Sequence, residues 1–186
     1  TPPWPRVRFT DLIEQDCGIN VLDFYGDAKK LRAAIAKEKI ILEDAAKLGY
    51  GNLCDALYKK VSRPTLIQPT FVIAHPVDTK PLARRNDRDP RLADTFQLLV
   101  NTWEIVNAYS EIIDPVDQRQ RLLEQAGARD AGDEEAMPMD EDFVRALEHG
   151  LPPTSGWGMG VDRFFALISH QENLKDVILF PLMKEE

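Results

Sequence analysis

The chain has 186 residues, with 23 lysines and arginines against 31 aspartates and glutamates, a formal net charge of −8. With 44% hydrophobic and 29% charged residues it has the make-up of a folded domain, able to bury a core without disulfides or a structural metal. The acidic balance argues against a non-specific nucleic-acid binder, and two cysteines, Cys17 and Cys54, with no Cys-x-x-Cys spacing argue against a zinc module or a disulfide framework.

The first five residues hold three prolines and should be extended, and residues 6–9 read as a short strand. Thr10 is the expected N-cap of a helix stopped by Gly18. Residues 27–48, rich in Ala, Lys, Leu and Glu, predict one or two helices opened by Asp27 and closed by Gly49. Leu53, Leu57 and Val61 recur at i, i+4, i+8 and predict a helix over 51–62, ended by Pro64. Residues 66–76 are β-branched and aromatic between prolines, hence a strand, and 77–91 form a polar loop. Two strands are expected over 96–113, meeting near 101–103. Pro115 at N1 opens a helix over 115–127. The acidic stretch 130–142 reads as a helix end and a solvated connection, followed by a helix over 141–149 and a short helix after residue 170. Strands and helices at irregular spacing point to an α+β fold.

The run TSGWGMGVDRFFALISH (154–170) carries the sharpest signal. In a strand, Gly156, Gly158 and Gly160 share one face and leave bare backbone for a flat ligand, while Trp157 and Met159 take the other. Val161, Phe164, Phe165 and Ile168 then make the expected buried stripe of a helix. Arg163, about 200° from Val161 by the helical step, falls off that stripe, placed to meet a phosphate or stack on a base. The same pattern also fits a glycine-eased strand edge with a solvated arginine. In EIVNAYSEIID (104–114) a strand would project Asn107, Tyr109 and Glu111 from one face: an amide, an aromatic wall and a carboxylate, suited to a cationic group. It also fits an amphipathic strand with its polar side in water. Glu104 has the opposite parity and could join that row only through a bulge or bend. Arg84, Arg85, Arg88 and Arg91 could face phosphate or pair with Asp87, Asp89 and Asp94, the pairing being favoured. His75, His149 and His170 read as surface or capping residues.

The segment PTSGWGMGVDRFFAL resembles motif 3 of class II aminoacyl-tRNA synthetases. The ordered combination of LIQPTFVIAHP, PLARRNDRDP, EIVNAYSEIIDPVDQRQR, DAGDEEAM and EHGLPPTSGWGMGVDR resembles class II lysyl-tRNA synthetases over about residues 64–183. On this basis the chain divides into residues 1–63, a strand plus helical segment like the one the family carries between its motifs 2 and 3, and 64–186, the C-terminal part of the catalytic domain. The resemblance implies an antiparallel sheet flanked by helices and an enzyme, a lysine–tRNA ligase, that forms lysyl-adenylate from lysine and ATP and transfers lysine to tRNA-Lys. It implies Arg163 as the catalytic residue covering the adenine and reaching the phosphates, and Gly160, Val161, Asp162 and Arg163 lining ATP. Glu104 would serve ATP and magnesium (Mg2+), Asn107 the lysine carboxylate end, Tyr109 the side-chain wall and Glu111 the ε-ammonium. At the family's second magnesium carboxylate, seven residues before Glu104, this chain has Gln97, a weaker ligand. A cytoplasmic location is expected, with a homodimer for the full-length parent.

Motifs 1 and 2 and an anticodon-binding barrel are not found, and the chain begins without methionine, so it reads as a piece of a longer protein. Little or no activity is expected of it alone, since losing one α-phosphate donor costs on the order of 10² or more in rate. Two other readings stay open: a lysylating paralogue that modifies a protein, and a non-catalytic regulatory or binding module derived from a synthetase. Aspartyl and asparaginyl synthetases share the fold, but their substrates would not favour Glu111 in the pocket. No apolar run approaches the roughly 18 residues of a membrane-spanning helix, and no signal-peptide stretch opens the chain.

Overall fold

Phe9, Leu12 and Ile13 give the first helix an apolar side, and burying that side decides where the first strand ends. In the computed structural model, which describes residues 2–181, β1 (Arg6–Arg8) passes directly into α1 (Phe9–Cys17). Phe9 is fully buried, with its ring centroid 4.7 Å from those of Tyr58 and His75. Thr10 therefore lies inside the helix, its hydroxyl donating to Asp11, and is not the cap expected of it; Arg8 holds that position with no side-chain bond. Gly18 ends the helix in the left-handed conformation, φ 75, as expected.

The 27–48 segment forms one helix, α2 (Ala28–Lys37), and not a helical run to Gly49. Asp27 caps it by accepting from the Lys30 N–H, as expected. Its end is a Schellman motif: Ile40 N–H donates to the Ile35 carbonyl and Lys39 N–H to that of Ala36. Lys39 takes the left-handed position (φ 58) that glycine usually fills, so the stop carries no glycine to announce it. Ile40, Leu42, Ala45 and Leu48 fold back irregularly onto the core. α3 (Tyr50–Val61) buries Leu53 and Leu57.

β2 (Thr70–Ile73), β3 (Thr95–Val100), β4 (Trp103–Ser110) and β5 (Ser155–Met159) extend β1 into a five-stranded sheet in the order β1-β2-β3-β4-β5. All neighbours are antiparallel except β1 and β2, which run parallel at the edge. β3 and β4 meet in a two-residue turn with Asn101 and Thr102 at φ 50 and 65, the signs a tight hairpin requires. α4 (Pro115–Asp130) starts at its proline, capped by Asp114, and α5 (Glu141–Glu148) and α6 (Val161–Ile168) complete the α+β fold. The core combines Phe9, Ile13, Leu31, Leu53 and Leu57 from the helices with Val72 and Leu99 from one sheet face.

The opposite sheet face and α6 are left bare. Trp157 is 69% exposed, Phe96 and Met159 are exposed, and a hollow of about 670 Å³ lies among Phe71, Phe96, Ala108 and Trp157. The α6 stripe expected to be buried is not: Val161 is 65%, Phe165 52% and Ile168 55% exposed, and only Ala166 is enclosed. The residues make an apolar stripe, but no described element lies over it. An apolar area of this kind is an association surface in water. Sedimentation velocity of the chain should show self-association that grows with concentration and weakens in Phe165→Ser; a monomer at every concentration would contradict this.

Candidate active site

The pairing of β3 with β4 sets Gln97 opposite Asn107 and Thr95 opposite Tyr109. β5 sets Gly158 opposite Asn107 and Gly156 opposite Tyr109. Directly paired residues share a sheet face, so Asn107 and Tyr109 stand beside the side-chain-free face of β5, with Trp157 and Met159 on the other side. Glu111 lies just past β4, held by its N–H on the Thr154 carbonyl (3.1 Å) and a bridge to Ala83. Its carboxylate lies so close to Gly156 that a Cβ there would overlap Oε1. A side chain at 156 would thus have to displace the Glu111 carboxylate from its place beside β5.

Glu104 reaches this face through a bulge. Leu98 pairs with Val106 but Leu99 with Glu104, so Ile105 is an extra residue on β4. That shift reverses the parity of Glu104, and the Gln97 amide donates to its Oε2 at 2.7 Å. Arg163, on the first turn of α6, folds back over Gly160 and donates to the Glu104 backbone carbonyl at 2.9 Å. Glu104, Gln97, Asn107, Gly160 and Arg163 therefore adjoin one another, with Tyr109 and Glu111 continuing the row. The side chains of Val161 and Asp162 point to solvent.

Known proteins match this chain over nearly its whole length. The family model of tRNA synthetases class II (D, K and N) matches residues 1–184. The chain belongs to this family. It is 43% identical over 186 residues to a lysine–tRNA ligase of Aquifex aeolicus, covering 100% of this chain and 31% of that protein. To lysine–tRNA ligases of Thermotoga maritima and Pelotomaculum thermopropionicum it is 46% and 44% identical, covering 99% and 98% of this chain and 36% of each relative. The chain spans about a third of the length of these relatives.

In this family member, burial shapes the charges of the site. Desolvation raises the Glu111 pKa with nothing basic to offset it. Burial, and then the Glu111 charge, raises that of Tyr109. Among the described residues the Asn107 amide oxygen is buried without a hydrogen-bond partner. Burial lowers the Lys80 pKa, against the pull of Glu104 and Asp55.

Two residues near or beneath the site escaped the sequence reading. His75 is neither on the surface nor a cap: Ala74 takes φ 54, at a cost of about 1–2 kcal/mol, and His75 is buried beside Phe9. Its Nε2 meets the Gln97 Oε1 at 3.1 Å. Asp133 is buried and not solvated, accepting from the Gly49 N–H and the Asn52 amide at 2.9 Å, so it caps α3. Both partnerships join residues far apart in sequence, and no local pattern marks them. The basic loop is internally paired, as favoured: Arg84 with Asp87, Arg91 with Asp89 (2.9 Å), while Arg85 turns to Asp117 (3.3 Å). Among the described residues no helix is long and apolar enough to cross a membrane.

Burial lowers the His75 pKa to about 3, so the folded chain keeps it neutral. The unfolded chain takes up the proton near the ordinary value of about 6.5. Stability is therefore full above that value and falls as pH drops towards 3, by on the order of a few kcal/mol. Denaturant unfolding across this range should show the decline, and His75→Gln should flatten it.

Proposed function

We propose that this chain is the part of a lysine–tRNA ligase catalytic domain that recognises lysine and forms one side of the ATP site. The carrying observation is Glu111: a carboxylate raised by burial, with no cation to offset it, in line with Tyr109 and Asn107 against a strand face bare of side chains. A lysine ε-ammonium supplies the missing charge, and its methylenes lie along the Tyr109 ring. The Asn107 amide takes the head of the amino acid, NH2 to the α-carboxylate and oxygen to the α-ammonium. Gly160, Val161 and Asp162 line ATP through the backbone of the turn into α6. Arg163 covers the adenine and reaches the phosphates, and Glu104 holds the nucleotide from the sheet.

In the proposed reaction the lysine carboxylate attacks the α-phosphorus, an oxygen–phosphorus bond forms, and the bond to the β-phosphate oxygen breaks to release pyrophosphate. A tRNA-Lys hydroxyl then takes the lysyl group and AMP leaves. The chain's contribution is positioning and neutralisation of phosphate charge, with no covalent enzyme intermediate. The full-length parent acts as a cytoplasmic homodimer in this reading. Magnesium held by Glu104 and Gln97 does not fit the residues present, because the Gln97 oxygen is turned to His75 and its NH2 to Glu104. No step is routed through such an ion.

Lysine titration followed by NMR should shift the Tyr109 ring resonances, aspartate should not, and Glu111→Gln should weaken lysine by about 30-fold or more. Affinity should fall as pH is lowered into a range above that of an ordinary glutamate, because protonation of Glu111 removes the charge the ammonium needs. Unchanged lysine affinity in Glu111→Gln would overturn the pocket.

ATP–pyrophosphate exchange by the 186-residue chain alone should show no dependence on lysine. In the full-length parent it should depend on lysine and collapse in Arg163→Ala; an unaffected Arg163→Ala parent would favour a non-catalytic module instead.

A further inference from the structure

The surroundings of Glu104 are built from hydrogen-bond donors and cations. Gln97 has one amide oxygen, and it lies 3.1 Å from the buried Nε2 of His75. His75 is neutral, and with the proton on Nε2 it donates to that oxygen, which leaves the Gln97 NH2 aimed at Glu104 Oε2, 2.7 Å away. Flipping the amide would require the proton on Nδ1, an atom buried with no partner. A buried N–H without an acceptor is rarer and costlier than a bare acceptor. His75 thereby locks the orientation of Gln97. Above the Glu104 backbone sits the Arg163 guanidinium. Lys80, on the loop that follows His75, senses Glu104 and Asp55 as its principal attracting charges, yet forms no ion pair among the described residues. His75 in turn senses the Lys80 charge.

Without the phosphates of a nucleotide to share it, a hard divalent ion needs several protein oxygen donors and excess negative charge. Glu104 offers one carboxylate, half of it already bonded to an amide NH2. Among the described residues no group of three or more His, Cys, Asp or Glu side chains could hold a metal.

We propose that without a nucleotide this chain holds no divalent cation at Glu104, because the His75-locked Gln97 amide, its NH2 on the Glu104 carboxylate, stands as a neutral donor where an ion would need a second carboxylate. The Gln97 NH2 occupies one Glu104 oxygen and turns the positive end of its dipole to the position, which disfavours a divalent ion there. This exclusion of the metal does not rest on the proposed function.

The test is a Mn2+ titration of the 186-residue chain, free of lysine and ATP, read by the loss of the free-ion electron paramagnetic resonance signal. The wild-type chain should show no saturable site tighter than ~1 mM, the weak end of protein oxygen sites. Gln97→Glu should gain one such site per chain, and adding Glu104→Gln should remove it. A saturable wild-type site abolished by Glu104→Gln would overturn the proposal. So would a Gln97→Glu variant, shown folded by circular dichroism, that gains no site. The wild-type titration decides even where the variant does not fold. Failure of lysine binding would strike the functional reading alone and leave this result standing.

Discussion

One extra residue in β4 governs what the site can be. The sheet pairs Leu98 with Val106 and then Leu99 with Glu104, skipping Ile105. Without that bulge, alternation would put Glu104 on the face with Trp157 and Met159, away from Asn107 and Tyr109. With it, Glu104 meets Gln97, and Arg163 closes on the Glu104 carbonyl from α6. Ile105 is buried, and its own carbonyl accepts the Gly160 N–H at 3.0 Å, so the bulge also anchors the turn that delivers Arg163. A bulge re-aims a side chain at the expense of one ladder position, and here it joins two parts of the site that a straight strand would separate.

The site that results is electrostatically divided. At one end Glu111 is desolvated and without a cation, a place that favours an ammonium group. At the other, the Arg163 guanidinium meets the Glu104 backbone carbonyl and the Gln97 NH2 meets its carboxylate, setting donors and a positive charge around Glu104. A substrate carrying a cationic tail and an anionic activated head would span the two ends with each charge facing its complement. The glycines of β5 keep the wall between them flat, and at Gly156 the Glu111 carboxylate fills the space a side chain would need.

The parity of Asn107, Tyr109 and Glu111 was legible in the sequence, because it depends only on the two-residue period of a strand. So were the Asn101–Thr102 turn, the Pro115 helix start and the Gly18 stop, each written in local chemistry. The shift at Glu104 could be named only as a condition, since β3 imposes it from outside the strand. The end of α2 was hidden because Lys39 does what glycine commonly does. The stripe on α6 was readable as apolar, but burial is a property of what lies opposite, and nothing in Val161 or Phe165 specifies that. His75 and Asp133 were missed for the same reason: their partners lie 22 and 84 residues away.

Asp133 also sets a sequence of events in time. The N-terminus of α3 is closed by a side chain 84 residues further along the chain, through the Gly49 N–H, with the Asn52 amide joined to the same carboxylate. Synthesis proceeds from the N-terminus, and domains tend to form as their residues emerge. When α3 leaves the ribosome its cap does not yet exist, and water must serve its first N–H groups until β3, β4 and α4 have followed. The helical segment can collapse early on Phe9, Leu53 and Leu57, but its final registration waits for the acidic stretch to arrive. A connection that looks like a spacer is thus the latch that closes a helix made well before it.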